Sequence, residues 1–436
     1  MNMANGAAPK APPRESAGPT GRGTNWLRVQ AINVARHAEA LRPFRRDEFG
    51  PGAPAPTEAH IKAVNDLLAE LHGNLSPAVA RVRIASARAA GKSTTENIQR
   101  LNSLKERAHA GVLAVERVWD FYFELFGQRQ GAFANWLLSC DRIALDCYQH
   151  AYVGLGAARS IPTPPPFSYM RTGFSPATFR RSLRLRRLGF KKNPFPLIML
   201  PYHRLVNPWT LGAILHEVSH NLQNDLGLEK LVPRRLGTAL LRAGLGRDVA
   251  RTWVRWNREF YADVSGLLLG GPAIATSLMD IIGRGPRTVL AFRATGPHPT
   301  PYIRAFVSTE LLRRLGFNEH ASQYDELWRR AYPDPTRGTI PPRMLSTMKE
   351  AIRIAVDVTC FQPFEPLGNK SLAQVIRFGQ KEQAMIEEAA GRIANGTDPG
   401  IVPERFLIGA SRVALSRQLA PPAEITRAFY SELSRR

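Results

Sequence analysis

Residues 211–227, LGAILHEVSHNLQNDLG, set His216 and His220 around Glu217 in a run that is otherwise apolar or uncharged until Asp225. Leu215, Val218, Ser219, Asn221 and Leu222 carry no charge, so a helix here is covered rather than solvated. Two imidazoles and a carboxylate are costly under cover unless something compensates them. Successive helical residues turn by ~100°, so positions four apart share a face. His216 and His220 therefore point the same way, close enough to share a metal, with Glu217 one position round. Neutral imidazoles suit Zn²⁺, which keeps an open position for water in catalytic sites. Zinc lowers the pKa of that water from 15.7 towards ~7, and Glu217 is placed to take its proton and deliver it to a leaving amine. The helix has sequence-level ends. Asn207 before Pro208 reads as an N-cap with proline at the first helical position, and Gly227 reads as the stop.

Two histidines do not complete a zinc site. A metzincin-type extension needs a third histidine soon after His220, where this chain has Leu226. The other solution is a glutamate on a second helix, and VRWNREFYADVSGLLLGG offers Glu259, 39 positions after His220, with Asp263 one turn later. Both carboxylates then share a face. Glu259 is the expected third ligand, and Asp263 is expected to accept the other ring N–H of a ligating histidine and so fix its tautomer. The competing reading of Glu259 is a solvated partner of Arg255 or Arg258.

HExxH followed by ExxxD resembles the gluzincin metallopeptidases, and the form HEVSH…EFYAD is most similar to the branch holding the HtpX-type and CaaX-processing proteases. Those enzymes also carry a downstream HP followed by arginine, and GPHPTPYIRAF has His298, Pro299 and Arg304 at matching spacing. The resemblance implies that His298 and Arg304, and less directly Tyr302, approach the substrate or the developing oxyanion. It covers roughly 195–310, about a quarter of the chain. It departs from the family's membrane enzymes, because no transmembrane helix is evident, and their substrates are therefore not carried over. The implied fold is mainly α, a zincin-like metallopeptidase core with a small β-sheet and an added helical N-terminal region. Zincin cores lay an edge strand along the cleft, where substrate backbone adds to it. The run FPLIMLPYHRL, 195–205, is the best strand candidate for that role. His203, just beyond it, reads as structural.

The rest of the chain supplies organisation. Residues 1–24 are rich in Gly, Ala, Pro and Ser without an apolar core, which predicts a disordered tail and no signal peptide. Residues 25–158 read as a helical region, with a restart at GNLSPAV and hydroxyl caps in TTEN. The proline cluster within 159–169 predicts a linker. A catalytic core is expected over 170–310 and a helical region packing on it over 311–436. The run VSGLLLGGPAIATSLMDII, 264–282, reads as core helix with a break rather than a membrane span, which needs ~20 uninterrupted apolar residues. Three cysteines, Cys140, Cys147 and Cys360, make no paired framework and no ligand spacing. They fit a reducing, cytoplasmic compartment, although sequence leaves delivery as an effector open. The net charge is +23. The acid-free run 180–192, RRSLRLRRLGFKK, offers a surface for an acidic partner, anionic lipid or nucleic acid. Arginines that are solvated or cover apolar surface are the favoured alternative. The expected activity is zinc-dependent hydrolysis of peptide bonds. The rivals are a catalytically silent zincin-fold scaffold and a basic protein binding nucleic acid or anionic lipid.

Overall fold

A computed structural model describes residues 19–156 and 160–436. The fold is mainly α. Residues 1–18 of the expected tail lie outside the described residues, and from Pro19 the chain is helical. The chain divides into two compact units, one drawn from Met1–Phe44, Val64–Phe123 and Arg186–Phe190, the other from Arg45–Ala63, Glu124–Leu185 and Lys191–Arg436.

The first unit holds helix α1 (Pro19–Ala40) and much of α2 (Glu58–Gly91) and α3 (Thr95–Gly127). Its core is small-residue packing, Leu27, Val34, Val82, Ala85, Ala89, Leu101 and Ala108. Polar ties close it: Ser86 Oγ donates to the Leu27 carbonyl at 2.8 Å, and Asn65 bonds both the N–H and the carbonyl of Phe44. The expected restart at GNLSPAV does not occur, because α2 runs through Pro77. An interior proline costs ~3 kcal/mol, but this one is exposed while Leu71, Leu75 and Val82 on the opposite face are buried. Packing of that face holds the helix across the lost bond. The TTEN cap does form, Thr94 Oγ1 accepting from the Asn97 N–H at 3.3 Å.

The second unit begins its core with α4 (Ala134–Leu155), whose Cys140 and Cys147 are fully buried free thiols. A three-stranded sheet follows, built from β1 (Phe167–Arg171), β2 (Ala177–Phe179) and β3 (Leu197–Pro201). Its order is β1-β3-β2, with β1 parallel and β2 antiparallel to β3. The strand expected in 195–205 is thus present but central, not at the edge. Leu197, Ile198 and Leu200 are all wholly buried, as a strand paired on both sides and covered on both faces must be. The edge is β2.

Helix α5 (Gly212–Asp225) carries HEVSH; α6 (Leu231–Arg242) packs on α7 (Arg247–Gly270), and α5 packs against α4, α7 and α8 (Pro272–Ile282). Asn207 is not its cap. Pro208–Thr210 form a 3₁₀ turn, and the Asn207 amide donates instead to the His203 carbonyl at 2.7 Å. The break expected within 264–282 falls at Gly271, φ +72°, where a side chain would also collide with the Phe378 ring. Helices α9 (Pro301–Arg314), α10 (Asn318–Ala331), α11 (Met348–Val356), α12 (Gln380–Ala394), α13 (Phe406–Ser416) and α14 (Pro422–Arg435) complete the unit, and their apolar faces join the same core. No helix among the described residues is long and apolar enough to cross a membrane.

Candidate metal centre

Helix α5 turns Leu215, Val218 and Leu222 into the core and presents His216, Glu217 and His220 to a cleft that Glu259 and Asp263 of α7 also line. The ring nitrogens His216 Nε2 and His220 Nε2 are 3.1 Å apart. Glu259 reaches both, with Oε2 3.6 Å from His216 Nε2 and Oε1 3.6 Å from His220 Nε2. A tetrahedral ion with ligands at ~2.1 Å separates its donor atoms by about 3.4 Å. His216, His220 and Glu259 therefore fit such an ion in both donor chemistry and spacing, and they are the His/Glu group among the described residues able to hold one.

Asp263 stands behind His216. Its Oδ1 is 2.9 Å from His216 Nδ1, and its side chain is almost wholly buried. Arg304 on α9 grips the same carboxylate with both Nε and Nη2, the latter at 2.7 Å, and lies 3.8 Å from Glu259. The resemblance implied a substrate role for Arg304, yet two of its donors are committed to Asp263. His298, two-thirds exposed, sits at the mouth with Nε2 3.7 Å from Glu259 Oε2. Tyr302 and His203 do not line the cleft. Tyr302 is buried against Phe306 and accepts from Trp328 through its carbonyl. His203 lies beside Phe174.

The electrostatics follow from burial and this geometry. Burial disfavours charge on His216, but the Asp263 and Glu259 carboxylates outweigh it and raise its pKa to about 10. Burial and the His216 charge lower His220 to about 3. Against its own burial, Glu259 is held well below the usual carboxylate range by His216, His220 and Arg304. Asp263 is likewise held down by Arg304 and His216. The cluster thus keeps one proton on His216, between two carboxylates, where the donor spacing fits a cation. Glu217 differs. It is buried, and no hydrogen bond or ion pair reaches its side chain among the described residues. Burial pushes it up from 4.5 to about 7.

The other wall of the cleft is β2 with the loop before it, Ser175–Thr178. Asn221 of α5 donates to Thr178 Oγ1 at 2.9 Å and so ties this edge strand to the helix that carries both histidines. Sequence reasoning missed β2 as the wall, the Arg304–Asp263 pair and Arg258, which also lines the cleft. The basic run 180–192 is partly internal. Arg180 bonds Glu229 and Asn224, and Arg181 donates to the carbonyls of Thr163, Pro164 and Pro194 in and near the proline cluster. A comparison of the chain with family models, curated proteins and solved structures finds no match.

Proposed function

We propose that the protein is a zinc-dependent metallopeptidase of gluzincin type, with His216, His220 and Glu259 as ligands and Glu217 as general base. The observation that carries this reading is the juxtaposition of three donors at tetrahedral spacing with a buried, unpaired carboxylate on the next residue. A metal-binding scaffold has no use for that carboxylate, which is destabilising where it sits. Bound zinc supplies a Lewis acid that polarises a carbonyl and makes water a nucleophile near neutral pH.

The protein's own groups do the rest. Glu217, a buried carboxylate without a side-chain partner among the described residues, accepts a proton from the attacking water and passes it to the leaving amine. Asp263 orients His216 through Nδ1, and Arg304 fixes Asp263 in turn; such outer partners set ligand geometry. His298 at the mouth is positioned to donate to the oxygen of the scissile carbonyl. The side of β2 turned away from β3, unpaired among the described residues, offers main-chain hydrogen bonds to an extended peptide.

The test is metal content together with turnover. Purified protein is expected to bind zinc one to one, His216→Ala is expected to lose it, and the zinc-loaded wild type is expected to cleave members of a peptide library. Zinc content unchanged in His216→Ala defeats the ligand assignment. A zinc-replete protein that cleaves nothing defeats the enzymatic one.

A further inference from the structure

The cleft is not uniform along α7. Arg258 and Leu267, both lining it, are nine residues apart, about 13 Å along the helix axis at 1.5 Å per residue. Around Leu267 the wall is apolar, with Ile274, Ala275, Leu278 and Ile281 of α8. At the other end Arg258 faces the cleft next to β2. Among the described residues no carboxylate pairs with its guanidinium and no hydrogen bond reaches it. The neighbouring arginine, Arg180, is already matched by Glu229 at 3.0 Å. Glu217 and Glu259, the remaining carboxylates near Arg258, are the proposed base and a proposed metal ligand. This end of the cleft therefore carries one positive charge without a structural partner. Arg258 is exposed at the cleft. A cation that lines a cleft without a carboxylate partner gains from an incoming anion.

Resting on the peptidase reading above, we infer that Arg258 is a specificity residue that selects peptides carrying an acidic side chain at the β2 end of the cleft, with an aliphatic side chain received at the α8 end. The guanidinium is a planar fork that matches a carboxylate with two parallel hydrogen bonds. A lysine side chain there meets like charge instead. The Leu267–Ile281 recess has no charged side chain to match a polar one, so burying an apolar group is what it rewards.

The experiment uses the zinc-loaded Glu217→Gln protein as a non-turnover binder. The probes are fluorescein-labelled octapeptides of alanine and leucine, carrying Glu, Ala or Lys at each successive position. Anisotropy reads binding, and the same set is offered to wild type for cleavage. Glu is expected to be preferred over Lys by about tenfold at one position, the scale of exchanging a partly exposed attraction for a repulsion. Arg258→Glu in the same background is expected to invert that preference, and Arg258→Lys to keep its direction. Zinc content and melting temperature of the variants report that fold and metal site are intact. Peptides that bind or are cleaved with equal tolerance for Glu and Lys overturn the Arg258 assignment alone, as does an unchanged preference in Arg258→Glu. A zinc-replete protein that neither binds nor cleaves any peptide overturns the peptidase reading and this inference with it.

Discussion

Two regions of the second unit bury carboxylates on long helices, and they treat them in opposite ways. Asp146 on α4 meets Arg405, whose Nη1 lies 2.9 Å from both carboxylate oxygens and whose backbone N–H donates to one of them at 3.0 Å. Arg405 Nε is satisfied by the Leu269 carbonyl. Every charge there has its answer within the fold. On α5 the account is left open. Among the described residues Glu217 has no hydrogen-bond or ion-pair partner and His220 Nδ1 is buried without one, and His216 holds a proton between two carboxylates. Satisfied burial is architecture, whereas incomplete burial at a cleft marks a place where something else completes the set.

The largest effect should come from breaking the satisfied region. Asp146→Ala leaves Arg405 charged and unpaired in the core, and a loss of ~3–5 kcal/mol in unfolding free energy is expected, with zinc stoichiometry unchanged in whatever fraction stays folded. Denaturant titration and metal analysis read both. A loss below ~1 kcal/mol would erase the contrast between the two regions.

Breaking the open region should spare the fold and stop the chemistry. Glu217→Gln is expected to retain zinc and lower peptide cleavage by at least ~10²-fold. Its stability effect has the opposite sign to that of Asp146→Ala. The unfolded carboxyl ionises near 4.5 and the folded one near 7, so the penalty is absent below the first value and complete above the second. That rise corresponds to about 3 kcal/mol. The urea midpoint of the metal-free variant should therefore gain on wild type between pH 4.5 and pH 7. A gap that stays constant with pH would show that Glu217 is not held ionised against its surroundings.

Asp263→Asn is expected to weaken zinc by ~10–100-fold through a misoriented His216, read by competition with a chelator. Equal affinity in the variant would leave Asp263 as no more than a partner of Arg304. The smallest signal is a proton count. His216, near 10 in the metal-free protein, must give up a proton that His220 and Glu259 do not carry at neutral pH. Calorimetry at pH 7 in buffers of different ionisation enthalpy should find at least one proton released per zinc. A value near zero would place the metal elsewhere.

Local periodicity carried the parts of this site that lie within one helix. The i, i+4 spacing put His216 with His220 and Glu259 with Asp263, and both pairs share a face in the fold. The Gly-Gly-Pro break at Gly271 was legible because conformation there is set by neighbouring residues. What was not legible depends on pairing across the chain. The partly alternating run that opens with ATF allows a strand or hairpin, and β2 forms there, but it is three residues long and its place at the edge emerges only from its register with β3. Pro77 and Asn207 failed as local signals because burial of Leu71 and Leu75 and the His203 carbonyl outcompeted them. Arg304 meets Asp263 over 41 residues of separation, and no periodicity announces such a partner.

The bond from Asn221 to Thr178 bears on alignment rather than rate. Side chains on a strand alternate, so a peptide added to β2 keeps its faces only if it moves in steps of two residues. Asn221 passes that phase to α5, the helix carrying both histidines. On the proposed reading, the edge strand is a ruler whose zero mark is pinned to the metal site. Errors of positioning would then arrive as whole dipeptide jumps, leaving products that are offset but never frayed.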